Sequence, residues 1–154
     1  MRALCIAVLC AVLAACETSS LRNRGSEGTH ERAIIEATDV WVAAYNSRDP
    51  LRIAETYDHD AVFWGTTSAT IRQSSGDIFE YFKDAAKRPE ARVMITDQNI
   101  RLSGDMAFNS GTYLFTDIRD GKRVENPSRF TFVFRMRKGR WAIVHHHSSR
   151  VPAP

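Results

Sequence analysis

The chain has 154 residues, 44% of them hydrophobic and 25% charged, the composition of one globular domain with its own core. Collagen-like, disordered and multidomain readings are excluded. Its 21 Lys and Arg face 18 Asp and Glu for a formal charge of +3, and the basic residues are scattered, so no nucleic-acid footprint is present.

Met1-Arg2 is a short basic start, followed by an apolar run from Ala3 to Ala15. That order is the anatomy of a secretory signal peptide, and the run is too short for the roughly 20 apolar residues a bilayer span needs. Leu13-Ala14-Ala15-Cys16 resembles a bacterial lipobox, which implies a lipidated Cys16, cleavage before it and a membrane-anchored protein of the cell envelope. The alternative is a plain signal peptide cut near Ala15. Cys5 and Cys10 fall inside the removed part, so the mature chain keeps Cys16 alone and forms no internal disulfide. Residues 16–28 are rich in Ser, Gly and charge, with Leu21 their one large apolar residue, and read as a flexible tether. The domain is expected over 29–152.

Thr29 is placed to cap a first helix with Ile34, Thr38, Trp41 and Tyr45 on one face. Asn46-Ser47-Arg48 breaks that pattern, and Asp49-Pro50 restarts a helix carried by Leu51, Ile53, Ala54 and Tyr57. Asp58-His59-Asp60 is expected as a solvated turn before a short strand, Ala61–Trp64. Ser74 and Asp77 have capping-box spacing, predicting a third helix that ends near Arg88-Pro89. From Arg92 onward β-rich segments alternate with turns: Arg92–Leu102, Met106–Asp117, Lys122–Arg137 and Arg140–Ser149, separated by Ser103-Gly104-Asp105, Asp120-Gly121 and Lys138-Gly139. Helices followed by an antiparallel meander give an α+β fold.

Trp41 and Tyr45, the Asn46-x-x-Asp49 break, Gly111–Phe115, and above all Pro127–Phe134 followed by Gly139-x-Trp141-x-Ile143-Val144-His145-His146-His147-Ser148-Ser149 carry a family signal. The chain resembles the nuclear-transport-factor-2-like superfamily. Within it the pattern is most similar to the SnoaL-like proteins of domain of unknown function 4440 and to the association domain of calcium/calmodulin-dependent protein kinase II. The resemblance implies a cone-shaped curved sheet packed on three N-terminal helices around a deep pocket, and a homodimer formed through the sheet. It implies no kinase activity, since the chain has no Gly-rich phosphate loop and no catalytic-loop Asp with metal-binding partners.

The three consecutive histidines allow several readings. Alternate strand residues share a face, so His145 and His147 form one pair and His146 stands with Ser148. With two ligands only, and Asp58-His59-Asp60 far away in sequence, no metal site is assigned; no cofactor is expected. A histidine near pKa 6.5 in a pocket can exchange protons, which makes His146 the candidate catalytic residue of a SnoaL-like cyclase or isomerase, with Tyr113 donating to an oxyanion. The favoured reading is a non-catalytic small-molecule-binding domain; a bare oligomerisation module is a third.

Periodicity leaves the pocket side of the last strand open, with Ala142, Val144, His146 and Ser148 on one face and Trp141, Ile143, His145 and His147 on the other. The family match turns His146 and Ser148 inward and puts Ser148 where the kinase domain has an Arg. The expected ligand-binding set is Trp41, Tyr45, Trp64, Tyr113, Phe132, His146 and Ser148, which favours an apolar or neutral ligand. Arg129 is expected to point away from the Phe130, Phe132, Phe134 series, and the outer face with Trp141, Ile143, His145 and His147 is expected to form the dimer.

Overall fold

A computed structural model describes residues 28–152; Cys16 and the tether lie outside them. Helix α1 (residues 28–47) buries Ile34, Thr38, Trp41 and Tyr45 at a spacing of three to four residues, the single stripe an amphipathic helix presents to a core. Gly28 is already helical, so Thr29 sits inside the helix and is not its cap. After α1, Arg48 adopts a left-handed φ of 62°. The Asp49 carboxylate then caps α2 (Pro50–Ala54), accepting from Leu51 N at 2.9 Å. Asn46 explains why the break occurs here. Its side chain exchanges two hydrogen bonds with the backbone of Val93, at 2.8 and 3.0 Å, and so pins the helix end to the sheet.

Helix α2 stops at Ala54, and Tyr57 opens strand β1 (Tyr57–Trp64). Two expectations are corrected together. Tyr57 is a strand residue, and Asp58-His59-Asp60 is strand backbone and not a turn. The cause is burial: Tyr57 is 5% and Asp58 8% exposed, and β1 pairs along β5. Ser74 caps α3 (Ser75–Ala86), its hydroxyl accepting from Asp77 N, the N-cap bond the spacing predicts, and donating to the Asp77 carboxylate.

Strands β2 (Arg92–Ser103), β3 (Met106–Arg119), β4 (Lys122–Arg137) and β5 (Arg140–Arg150) follow as an antiparallel meander. Left-handed φ values at Gly104, Asp120-Gly121 and Lys138-Gly139 form the tight turns. The sheet order is β1-β5-β4-β3-β2, with β1 the one strand that joins in parallel. Besides a register shift in β1 between Tyr57 and Val62, two irregularities interrupt it. One lies in β2 between Ile95 and Asp97, where the chain passes so close to β3 that a Cβ on Gly111 would stand 2.0 Å from the Asp97 carbonyl oxygen. The other lies in β5, where Val133 pairs with His145 but Phe134 pairs with Ile143, leaving Val144 unpaired as a bulge.

That bulge corrects the face assignment. An extra residue shifts the alternation by one, so Trp141 and Ile143 before it share the inner face with His146 and Ser148 after it. Trp141 and Ile143 are 8% and 1% exposed, in the core, and Trp141 meets His30 of α1 edge-on. His145 and His147 remain outside. There the rows Val62–His145–Val133–Phe108 and Trp64–His147–Thr131–Ser110 run across four strands, with Trp64 and Phe108 46% and 41% exposed. Arg129 also points outward, while Phe130, Phe132 and Phe134 are buried against the helices.

Candidate functional site

Between α1, α3, the segment after β1 and the concave sheet lies a cavity of about 540 Å³, lined by Trp41, Tyr45, Tyr113, His146 and Ser148 among others. Five of the seven predicted binding residues therefore meet in one place. Phe132 lies beneath them, fully buried, its ring 4.2 Å from that of His146. Trp64 is corrected: it stands on the outer face, its ring edge toward His147 and its Nε1 donating to the Ser68 carbonyl at 3.3 Å. Position 64 alternates with buried Phe63, and it is Phe63 that reaches the cavity.

His146 is 1% exposed and enclosed by rings: Phe132, Phe63 at 5.0 Å, Trp41 at 5.4 Å and Tyr57 at 6.1 Å. Burial, followed by the charges of His145 and His147, holds its pKa well below the ordinary 6.5, so the ring is neutral. Its tautomer follows from its neighbours. Trp41 Nε1, which can only donate, gives its hydrogen to the Tyr57 hydroxyl at 3.0 Å. The Tyr57 hydroxyl lies 2.8 Å from His146 Nδ1, and burial raises the Tyr57 pKa, so its proton stays in place. With Tyr57 donating to Nδ1, the one hydrogen left over is that of Nε2, on a residue that lines the cavity; the opposite arrangement leaves over the Tyr57 proton, on a residue outside the lining, so the first is the one a cavity occupant can complete. His146 therefore carries its own hydrogen on Nε2, and Nε2 is buried with no partner among the described residues. Leaving such a donor unpaired costs about 1–3 kcal/mol.

A second polar group lies beside it. Tyr113 donates to the Ser148 hydroxyl, which in turn bonds Thr66 from the segment after β1. Three hydroxyl hydrogens serve two bonds, so one remains for a ligand. Burial raises the Tyr113 pKa, and the phenol stays protonated. The cavity floor is thus neutral, donor-rich and walled by aromatic rings. Its carboxylates, Glu80 and Asp84, are bound by Lys83 at 3.1 Å and Lys87 at 2.6 Å on α3.

Tyr57 and Thr66 are the site residues that sequence reasoning missed. Tyr57 was hidden by a helical pattern running through α2. Thr66 lies in a polar stretch with no periodicity, and only the Ser148 contact gives it a role.

Asp58, His59 and Asp60 bring ligand atoms within 4.8 Å of one another. Arg137 occupies the group, its Nε 2.7 Å from Asp58 and its Nη2 3.4 Å from Asp60. Burial favours the protonated carboxyl of Asp58, but hydrogen bonds from His59 and the Arg137 charge outweigh it and lower the pKa. A guanidinium already occupies this cluster, so it reads as an ion-pair lattice between β1 and β4.

The calcium/calmodulin-dependent protein kinase II association domain matches residues 30–152. The chain belongs to that family. A solved association domain from Xanthomonas campestris is 33% identical, with a TM-score of 0.73 over 79% of this chain and 87% of that one. Fold alone is shared with a dehydratase-named member of the nuclear-transport-factor-2-like family from Streptomyces avermitilis (16% identity, TM-score 0.75, 82% of this chain and 99% of that one). The same holds for a ketosteroid isomerase-like protein from Erwinia carotovora atroseptica (18%, 0.67, 79% and 96%). No curated protein matches the chain. The association-domain match spans both the aromatic helix α1 and the strand that carries His146.

Proposed function

We propose that this association-domain protein is a dimeric, membrane-tethered binding module that holds an uncharged group of a small, flat, largely apolar ligand and does not turn it over. The observation that carries the reading is the unpartnered Nε2–H of His146 on a residue lining the cavity. A ligand carbonyl or ether oxygen placed there satisfies a buried donor, and the spare hydroxyl hydrogen of the Tyr113–Ser148–Thr66 group supplies a second bond. The aromatic walls supply the remaining affinity through apolar burial.

The same arrangement argues against His146 as a general base. Its Nδ1 is engaged by Tyr57, its Nε2 is protonated, and burial keeps the ring from accepting a second proton. Ligand titrations by calorimetry test the reading with 2-acetylnaphthalene as probe. Tyr113→Phe and Ser148→Ala are each expected to weaken binding several-fold, about 1 kcal/mol, with the probe recovered unchanged. Wild-type protein that fails to bind, or that converts the probe, contradicts it.

Dimerisation is placed on the outer sheet face, through the rows that include Val62, Trp64, Phe108, Val133, His145 and His147. An exposed Trp and Phe on one sheet face favour a second cover. Membrane attachment through a lipidated Cys16 rests on the Leu13-Ala14-Ala15-Cys16 sequence; acyl chains contribute about 0.8 kcal/mol per buried methylene, so two or three hold the protein stably.

A further inference from the structure

We propose that the β4–β5 hairpin end of the domain docks on an anionic lipid bilayer, so that the anchored protein rests on this end with its cavity turned toward the aqueous phase. This rests on the reading of Cys16 as lipidated and goes beyond it by fixing which surface meets the membrane and which headgroup charge it takes. The first observation is the point where the chain enters the domain. His30, at the start of α1, stands edge-on to Trp141 with ring centroids 6.0 Å apart, and Trp141 pairs with Met136 beside the hairpin turn. Cys16 lies twelve residues before Gly28, a stretch that reaches about 40 Å when fully extended. An acylated Cys16 therefore confines the hairpin to that distance from the bilayer, where a weak second contact forms as an intramolecular one.

The second observation is charge. Arg135, Arg137, Lys138 and Arg140 put four cations into six residues with no acid among them. Arg137 is committed to Asp58 and Asp60, whereas Arg135, Lys138 and Arg140 form no ion pair among the described residues. Lys138 stands exposed in the turn with a left-handed φ of 51°. Arg140, also exposed, donates to the Glu55 carbonyl at 3.3 Å and keeps its full charge. The acids of this end, Glu31, Glu55 and Asp105, belong to α1, the end of α2 and the β2–β3 turn. Such a hairpin attracts anionic headgroups across roughly one Debye length, about 8 Å at physiological salt. The cavity lies toward the other end. Strand β5 runs from Arg140 in the hairpin to Ser148 in the cavity lining, and α1 runs from His30 to Tyr45 in the same lining, about 22 Å along the helix. Ligand then arrives from water and not from the bilayer.

Energy transfer on lipidated protein reconstituted into vesicles tests the docking, with a donor dye on Asp105→Cys or on Lys122→Cys and an acceptor on the headgroups. Asp105 belongs to the hairpin end, its carbonyl accepting from Met136 N at 2.8 Å, and Lys122 begins β4 at the far end. In phosphatidylcholine vesicles with about one third phosphatidylglycerol, transfer from position 105 is expected to exceed that from position 122 several-fold. The ratio should fall about twofold or more in phosphatidylcholine alone, in high salt, and in the Arg135→Gln/Lys138→Gln variant. Equal transfer from the two positions, or a ratio that keeps its value through all three comparisons, overturns the docking. Intact mass, measured first, separates the two readings. Protein without acyl chains overturns the anchor and the docking together; acylated protein with equal transfer overturns the docking alone.

Discussion

The Tyr57 hydroxyl lies 2.8 Å from His146 Nδ1 across 89 residues of sequence, at the point where β1 joins the sheet beside β5. That contact decides what the most conspicuous polar residue of the cavity can do. With Trp41 donating to Tyr57 and Tyr57 to His146, the imidazole is held as a hydrogen-bond donor in an aromatic cage.

The cage has a consequence for acid stability. The native pKa of His146 lies well below its unfolded value of 6.5, so below pH 6.5 the unfolded chain binds a proton that the native state does not. Stability then rises with pH and is lost as pH falls from about 6.5 toward the native pKa, at up to about 1.4 kcal/mol per pH unit. Burial and the neighbouring His147 charge lower the His145 pKa, which adds in the same direction. Urea unfolding between pH 5 and 8 measures the slope. His146→Gln is expected to reduce it by close to one proton; an unchanged slope contradicts the assignment.

Sheet curvature depends on the close approach of β2 to Gly111. A methyl group there meets backbone at 2.0 Å, and backbone cannot move aside cheaply, so Gly111→Ala should cost about 2 kcal/mol or more. Gly76 in α3 is a matched control: the nearest atom to an added Cβ is the Ser74 hydroxyl at 3.8 Å. Gly76→Ala should leave thermal stability equal or slightly raised. Thermal melts that rank the two variants the other way contradict this account of the bulge.

The outer-face dimer predicts that Val133→Arg, at the centre of the Val62–His145–Val133–Phe108 row, produces a monomer. A charge there would be buried without a partner at the interface. Light scattering at tens of micromolar reads the mass directly. A monomeric wild-type protein, or a dimer that tolerates the arginine, rules this face out.

Lipidation at Cys16 predicts that Cys16→Ala releases the protein from the membrane fraction. Fractionation followed by immunoblotting distinguishes the outcomes, and a variant that remains membrane-bound removes the anchor.

The strands β2 to β5 were legible because alternation such as Phe130, Phe132, Phe134 persists over long segments between glycine turns, and α1 because its buried stripe keeps one period. Three features were not. The Val144 bulge inverts the parity of β5 halfway along, and it is set by pairing with β4 and β1 rather than by any local residue preference. Tyr57 continues the α2 pattern by spacing alone, and pairing with β5 overrides that pattern. Thr66 lies in a polar stretch without periodicity, and only the fold brings it to Ser148.

The central claim is that His146 offers an Nε2–H to a neutral acceptor inside the cavity. Two-dimensional ¹H–¹⁵N correlation spectra of histidine-labelled protein, recorded while 2-acetylnaphthalene is titrated in, observe both ring nitrogens of His146 directly. The account predicts a neutral Nε2–H tautomer from pH 6 to 8, retained on binding, with a saturable shift of the Hε2 resonance as the ketone accepts it. An Nδ1–H tautomer, an imidazolium near neutral pH, or an Hε2 signal indifferent to saturating ketone would contradict it.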